Sequence, residues 1–330
     1  MTAAPAATRR RLGSLEVLLV GLIALAVSAG VTSAFVAGNP DLSTAATVFC
    51  GVFVQALPFL VLGVVVSGLI AAFISAERLA RWLPRRPALA VVVAGVGGAA
   101  LPGCECGSVP VARRLFGPGT NGAAALTFML SAPAINPVVL VATAVAFPGQ
   151  PAMVLARCVA SLATAVAMGL LWSRFGKDAW VTRELPEPAP AGSSWWTVFT
   201  EAARHDFLQA ASYLVVGAGA AAALHVLVPA WVFEHLAGNL IVAVVSMGLL
   251  AVVLALCSEA DAFVVASLTM VPLVPRLVFL VVGPAFDVKL SAMQAGMFGR
   301  GFAMRFGPVT FVVACVIATI VGLAVLGGGA

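Results

Sequence analysis

Long apolar stretches follow one another along the chain, and each is about as long as a bilayer is thick. A helix needs roughly 20 mostly apolar residues to cross the hydrocarbon core. Stretches of that length with few or no charged residues lie at 15–37, 46–75, 122–147, 151–173, 207–228, 277–299 and 302–326. The residues are 62% hydrophobic and 9% charged, whereas soluble domains are about 25% charged. Because only lipid can solvate so much apolar surface, the sequence predicts an all-α polytopic membrane protein with about 7–9 membrane segments.

The first stretch begins shortly after three arginines, Arg9, Arg10 and Arg11. A signal peptide begins in the same way, but its apolar core is typically about 7–15 residues long. The stretch at 15–37 is longer, so we expect a retained first span behind a cytoplasmic tail, together covering residues 1–44. Arginine clusters recur between later spans, and the positive-inside rule places them on the cytoplasmic side of a bacterial inner membrane.

Two further apolar segments, 88–112 and 239–272, are interrupted by LPGCECGSVP and CSEAD. If each folded back as a re-entrant hairpin, the arginine clusters beside it would stay in the cytoplasm. If each crossed the membrane as a long broken span, Arg113 and Arg114 would lie outside. The charge pattern favours hairpins, and the sequence leaves both arrangements open.

The two halves of the chain resemble each other. The run FVQALPFLVLG at 53–63 has a counterpart in FLQAASYLVVG at 207–217, and APAINP has one in GPAFDV. In the hairpin topology the copies have opposite orientations, and inverted repeats with discontinuous helices are a recurrent architecture of secondary transporters. The predicted division is a first repeat at 45–175, a cytoplasmic linker and interfacial lead-in at 176–205, and a second repeat at 206–330.

The first chemical motif is Cys104-Glu105-Cys106, which lies between Pro102 and Pro110. Prolines and glycines at this density break helices, and irregular backbone at membrane depth must line protein or a water-filled cavity. Two thiols two residues apart can converge on one soft ion. The pattern predicts that the three residues bind substrate; the alternative is that the two cysteines only fill space in the packing.

The second motif is Cys257-Ser258-Glu259-Ala260-Asp261. A carboxylate at bilayer depth costs roughly 2.5–3.5 kcal/mol on insertion scales, and such groups usually mark ion or proton pathways. We predict substrate binding by Cys257 and Ser258, and proton coupling by Glu259 and Asp261. The alternative is a buried pair that holds the two halves together.

The third motif joins Asn136 with its repeat counterpart Asp287, and prolines adjoin both. A helix interrupted by proline frees backbone carbonyls that can coordinate a substrate. Asn136 is therefore a predicted substrate ligand, and Asp287 a predicted proton carrier. Lys289 could instead neutralise Asp287, although residues two apart do not face each other on an ideal helix.

The sequence contains no phosphate-binding loop, nucleophile elbow or zinc-peptidase motif. We therefore expect no enzyme activity and no cofactor, and any active transport must use an ion gradient or a partner. The net charge of +5 is spread over short arginine clusters between spans, which predicts contact with the lipid bilayer rather than with nucleic acid.

The run from Leu101 to Leu140, together with CSEADAFVVAS and GPAFDVKL, resembles a predicted-permease family that includes bacterial organoarsenical efflux permeases (ArsP-type, YraQ-like). The resemblance covers roughly residues 45–325. Family members often carry a Cys-x-Cys with a small middle residue, where this chain has Glu105. The resemblance also implies that some relatives work with a second membrane subunit and are linked to metal homeostasis.

The leading hypothesis is a proton-coupled secondary permease for a thiophilic solute, with efflux of a trivalent organoarsenical as its first form. The alternative within this class is a zinc or soft-metal permease that works with a partner subunit or as a homo-oligomer. Its predicted metal ligands are Cys104, Cys106, Cys257 and Glu259. An alternative from another class is a membrane thiol–disulfide redox protein, because a disulfide within C-x-C would be strained and labile.

Overall fold

The computed structural model describes residues 38–73, 84, 86–100, 105–116, 122–177, 180–181, 194–227, 239–258, 260–269 and 271–327. The predicted first span at 15–37 lies outside these residues. So do Cys104, Glu259, and residues 178–179 and 182–193 of the predicted linker. Within the described residues the chain is helical and contains no strand.

Twelve α-helices follow one another along the described chain. They are α1 Pro40–Phe73, α2 Pro87–Gly97, α3 Glu105–Leu115, α4 Gly122–Ile135, α5 Pro137–Ala146, α6 Pro151–Phe175, α7 Trp195–Leu227, α8 Leu240–Leu254, α9 Asp261–Ser267, α10 Leu273–Ala285, α11 Val288–Met297 and α12 Arg300–Val325. A short 3₁₀ turn, Gly98–Ala100, extends α2. Four helical segments are long and apolar enough to cross a membrane: Pro40–Phe73, Gly122–Ala146, Pro151–Phe175 and Arg300–Val325.

Local sequence explains where many of these helices begin. Proline is the first residue of α1, α2, α5 and α6, a position where its missing N–H has no partner to lose. The side chains of Asn39, Asn136, Asn239 and Asp287 accept hydrogen bonds from the first turns of α1, α5, α8 and α11. Such caps satisfy N–H groups that a helix leaves without an internal partner.

The helices of the two halves occur in the same order. Helices α1 to α6 correspond to α7 to α12, and in each half the fourth and fifth helices are separated by a break at Asn136 or at Phe286–Asp287. Helix α1 packs along α7, α4 crosses α10, and α6 packs against α12. The two repeats and their inverted orientation in the membrane stay predictions.

One expectation about helix continuity needs correction. The stretches at 122–147 and 277–299 are each interrupted where a side chain caps the following helix, as the prolines near Asn136 and Asp287 indicate. Pro110, expected to help break the chain, lies inside α3 instead. Pro110 lies in the middle of this helix, where its missing N–H removes the hydrogen bond to the carbonyl of Cys106 and its ring crowds that carbonyl.

Two clusters of buried apolar side chains form the interior. One surrounds α1, α3, α4, α7 and α11, and the other surrounds α8, α10, α12 and part of α6. Cys106 and Leu290 belong to the first cluster, whereas Ala156 and Ala262 belong to the second. Each cluster therefore surrounds one of the two groups of buried charges that form the candidate site.

Candidate functional site

A buried ion pair joins the two halves of the chain at the start of α3. Glu105 is the first residue of α3, and its Oε1 accepts a hydrogen bond from Nζ of Lys289 in the first turn of α11. Both side chains are fully buried. Because a buried charge is tolerated only when it is paired and hydrogen-bonded, the folded protein depends on this contact between residues 184 positions apart.

Asp287 contributes a second carboxylate to the same place. Its Oδ1 caps α11 by accepting from the backbone N–H of Leu290, and its Oδ2 lies 3.8 Å from Nζ of Lys289. Among the described residues, none donates a hydrogen bond to that buried Oδ2. In the part of the chain that the structure describes, one ammonium therefore faces two carboxylates, and it forms a close contact with Glu105 alone.

Two thiols lie near the same ammonium. Cys106 follows Glu105 in the first turn of α3, and Cys257 lies in the segment between α8 and α9. Both are buried, and both interact electrostatically with Lys289. We call Glu105, Cys106, Cys257, Asp287 and Lys289 the lysine cluster.

A turn at the end of α8 brings Cys257 and Ser258 to this cluster. Ala255 ends the helix with φ at 46°, a left-handed conformation that disfavours side chains other than glycine. The chain then leaves the helix axis, and the hydroxyl of Ser258 donates to Oε2 of Glu105 at 3.0 Å. Both oxygens of Glu105 thus bind groups from the second half.

A second buried ion pair, which we call the arginine pair, lies beside the first. Nη2 of Arg157 is 3.0 and 2.9 Å from the two oxygens of Asp261, and it also donates to the carbonyl of Ser258 at 2.9 Å. Nη1 donates to the hydroxyl of Thr143 at 2.7 Å. Ser258 therefore contacts the lysine cluster through its hydroxyl and the arginine pair through its carbonyl.

Glycines allow the helices to approach closely around the lysine cluster. A Cβ on Gly63 of α1 would lie 2.2 Å from Cα of Gly107, and one on Gly217 of α7 would lie 2.7 Å from Cα of Lys289. These two glycines end the matching runs at 53–63 and 207–217. Equivalent positions of the two halves thus support the two helices that carry Glu105 and Lys289.

Comparison with known proteins identifies the group to which this fold and site belong. Residues 41–323 match the ArsP_1 family, which is described as a predicted permease. The chain belongs to this predicted-permease family. Its relatives include UPF0718 protein YcgR of Bacillus subtilis strain 168, which is 34% identical over 82% of this chain and 94% of the relative.

A second relative in the permease family comes from Streptococcus mutans. It is 29% identical over 84% of this chain and 94% of its own length, and it is named as a subunit of a two-component membrane permease complex. No solved structure matches the chain significantly. The family and the apolar helices together identify a membrane permease, and they support a transporter rather than an enzyme.

The permease structure brings together most of the residues that the sequence singled out. Glu105, Cys106, Cys257, Ser258 and Asp287 meet at the lysine cluster, and Asp261 lies next to it in the arginine pair. Cys104 and Glu259 adjoin described members of the site but lie outside the described residues. Within the described part of the chain, no three His, Cys, Asp or Glu side chains are grouped as a metal site would need.

Asn136 has a different setting from the other predicted residues. Its amide donates to the carbonyl of Ala132 at 3.0 Å and accepts from the N–H of Val139 at 3.0 Å. The side chain thus bridges the end of α4 and the start of α5.

Sequence reasoning missed two of the basic residues. Arg157 has no role in the sequence-based predictions, although an arginine inside a 25-residue apolar helix is itself a signal of a buried partner. Lys289 was considered only as a neighbour of Asp287. Asp287 caps the helix instead of lying on it, so the two side chains do come within 3.8 Å, and the closer partner of Lys289 is Glu105.

Proposed function

We propose that this membrane permease carries a thiophilic solute, bound by Cys106 and Cys257 together with Cys104. The observation that carries the proposal is the position of two buried thiols beside one buried ammonium, between elements of both halves. Thiols buried for packing alone need no charged neighbours. Soft ions bind the thiolate form of cysteine.

The solute class that best fits this chemistry is a trivalent organoarsenical. Each thiolate would replace one hydroxide on arsenic, and that hydroxide would leave as water after taking up a proton. Two thiols are enough for a monomethyl arsenical, whose third arsenic bond is to carbon. The resemblance to organoarsenical efflux permeases supports the same solute and the outward direction across the inner membrane.

A zinc-like ion is the second candidate solute. Zinc transport in this form would involve a partner subunit, and the name of the Streptococcus relative supports such a partner. That relative is named as a subunit of a two-component permease complex. Zinc prefers four ligands. Cys104 and Glu259 would have to join Cys106 and Cys257 to complete such a set, or a partner subunit would have to supply ligands.

Proton coupling is part of the proposal because soft-ion binding and thiol ionisation are linked. Asp287 is the carboxylate best placed to exchange a proton, since its Oδ2 has no hydrogen bond from the described residues. Asp261 is held by Arg157 and would exchange a proton only when that pair opens. Glu259, next to Ser258, is the third predicted carrier.

The test is uptake into everted membrane vesicles that contain the protein, with trivalent methylarsenite and zinc compared in the presence and absence of a proton gradient. Cys104→Ser, Cys106→Ser and Cys257→Ser each remove one proposed ligand. Cys50→Ser is the matched control, because Cys50 is exposed on α1. Gradient-driven arsenical uptake that the three site variants abolish and the control retains is the expected result.

Other results of this uptake experiment would distinguish between the alternative solutes and binding sites. Zinc uptake without arsenical uptake would keep the thiol site and replace the solute. Uptake that persists in all three site variants would place binding elsewhere. If the folded protein moved neither solute, the proposal would be wrong.

A further inference from the structure

The ammonium of Lys289 lies beside the groups that a bound solute would use. It is paired with Glu105 and lies within electrostatic range of both described thiols. A zinc ion that approached these thiols with the ammonium in place would meet direct repulsion. Methylarsenite is uncharged, but its arsenic–sulfur bonds would remove the negative charge of the thiolates that the ammonium faces. Solute and ammonium therefore compete for the same thiols.

Lys289 is also at an unfavourable position on its own helix. It lies in the first turn of α11, where the helix dipole favours negative rather than positive groups. The side chain is fully buried, so the carboxylates and thiols, and not solvent, hold the charge there. An uncharged side chain would serve local helix stability better.

Asp287 offers the ammonium a second place. Its Oδ2 is buried, lies 3.8 Å from Nζ and accepts no hydrogen bond from the described residues. A shift of about an ångström would convert that distance into a normal charged hydrogen bond. The lysine cluster thus contains one ammonium and two carboxylates. The ammonium contacts Glu105 and lies slightly too far from Asp287 for a hydrogen bond.

We propose that Lys289 is a tethered cation that exchanges with the solute. In the empty permease it pairs with Glu105, and when solute binds the thiols it moves to Asp287. This inference rests on the proposed thiophilic solute. It adds that Glu105 has a positive partner of its own when the empty permease returns across the membrane.

The exchange predicts opposite effects of two substitutions on solute affinity. Lys289→Gln removes the competitor, so the apparent affinity for methylarsenite or zinc should rise, by about tenfold if the ammonium occupies the site nine-tenths of the time. Asp287→Asn removes the second position for the ammonium but keeps a good helix cap, so affinity should fall. A merely structural role for the cluster would weaken binding in both variants.

The inference also predicts that net flux and solute exchange respond differently to substitution of Lys289. In proteoliposomes, Lys289→Gln should lose net flux by about tenfold or more, whereas exchange of labelled for unlabelled solute should persist, because exchange does not require the empty permease to return. Lys289→Arg should keep part of the net flux. Lys177→Gln is the matched control, because Lys177 is exposed beyond the end of α6.

Loss of Lys289 alone leaves Glu105 buried without its partner, so the variant could fail to fold. The double variant Glu105→Gln, Lys289→Gln removes both charges and keeps the shape of both side chains. It should bind solute at least as tightly as the wild type and should show exchange without net flux. Weaker binding in both Lys289→Gln and the double variant would overturn the inference.

The outcomes also distinguish this inference from the proposed function. If the wild type moved neither methylarsenite nor zinc, both would fail together. If the wild type moved one of them and Lys289→Gln lost exchange and net flux equally, only the tethered cation would be wrong.

Discussion

The arginine pair and the lysine cluster are both buried and both cross between the halves, yet their balance of charge differs. Arg157 faces one carboxylate, Asp261, and Nη2 contacts both of its oxygens. Among the described residues, Lys289 faces two carboxylates and two thiols and pairs closely with Glu105 alone. Within this part of the chain, the first arrangement pairs one cation with one carboxylate through several hydrogen bonds, whereas the second places two carboxylates beside one ammonium.

The chemistry of the two basic residues fits this difference. A guanidinium is planar and holds its donors in a fixed geometry, whereas an ammonium is a compact charge on a flexible stem. Arg157 uses its donors on Asp261, Thr143 and the carbonyl of Ser258. We infer that the arginine pair is structural and that the lysine cluster changes its contacts during transport.

The largest expected effect is on stability, from breaking the arginine pair. Arg157→Leu leaves Asp261 buried without its counter-charge, and such a loss typically costs about 3–5 kcal/mol. The expected result is a large fall in the thermal unfolding temperature of the purified protein in detergent. Arg157→Leu, Asp261→Leu should recover much of that loss, because a buried pair can often be replaced by apolar side chains. If the single variant unfolded at the wild-type temperature, the pair would not be structural.

Ser258→Ala is the next test, since this residue links the two charged groups. The variant loses the hydrogen bond to Oε2 of Glu105 but keeps the backbone carbonyl that accepts from Arg157. A hydrogen bond to a charged group contributes roughly 1.5–3 kcal/mol, so a smaller fall in unfolding temperature is expected than for Arg157→Leu. Net solute flux should fall as well, because Glu105 would lose the hydrogen bond from Ser258 that holds it beside Lys289.

Ser267→Ala provides the control for this substitution. Ser267 is exposed, and its hydroxyl donates to the carbonyl of Val264 within the same short helix. It should leave both stability and flux close to wild type. Equal effects of the two serine variants would contradict a special role for Ser258.

Much of the fold follows from local sequence. Apolar length predicts the helices at Pro40–Phe73, Pro151–Phe175 and Arg300–Val325, all of which the structure contains. The matching prolines and polar residues near Asn136 and Asp287 indicate interruptions there, and both side chains cap the following helix. Capping depends on residues three positions apart, so a sequence shows it directly.

The pairing of the charges could not be predicted in the same way. Glu105 and Lys289 are 184 residues apart, and Arg157 and Asp261 are 104 apart. Periodicity indicates which residues are buried but not which distant group neutralises each one. The sequence consequently identified the acidic and thiol residues, and it underestimated the two basic residues that neutralise them.

The smallest expected effect comes from a substitution that changes the packing beside the lysine cluster and leaves the arginine pair untouched. Gly217→Ala would place a methyl group 2.7 Å from Cα of Lys289, and overpacking of this kind costs about 1–3 kcal/mol. Because the contact is with backbone, α7 and α11 would have to separate, and Lys289 would shift relative to Glu105. Net flux should fall, while the hydrogen bonds of Arg157 stay intact. Gly219→Ala on the same helix is the control, since nothing lies within 4 Å of its added methyl group. A Gly217→Ala variant with wild-type flux would show that transport tolerates displacement of the lysine cluster. It would then contradict the inference that the lysine cluster changes its contacts during transport while the arginine pair is structural.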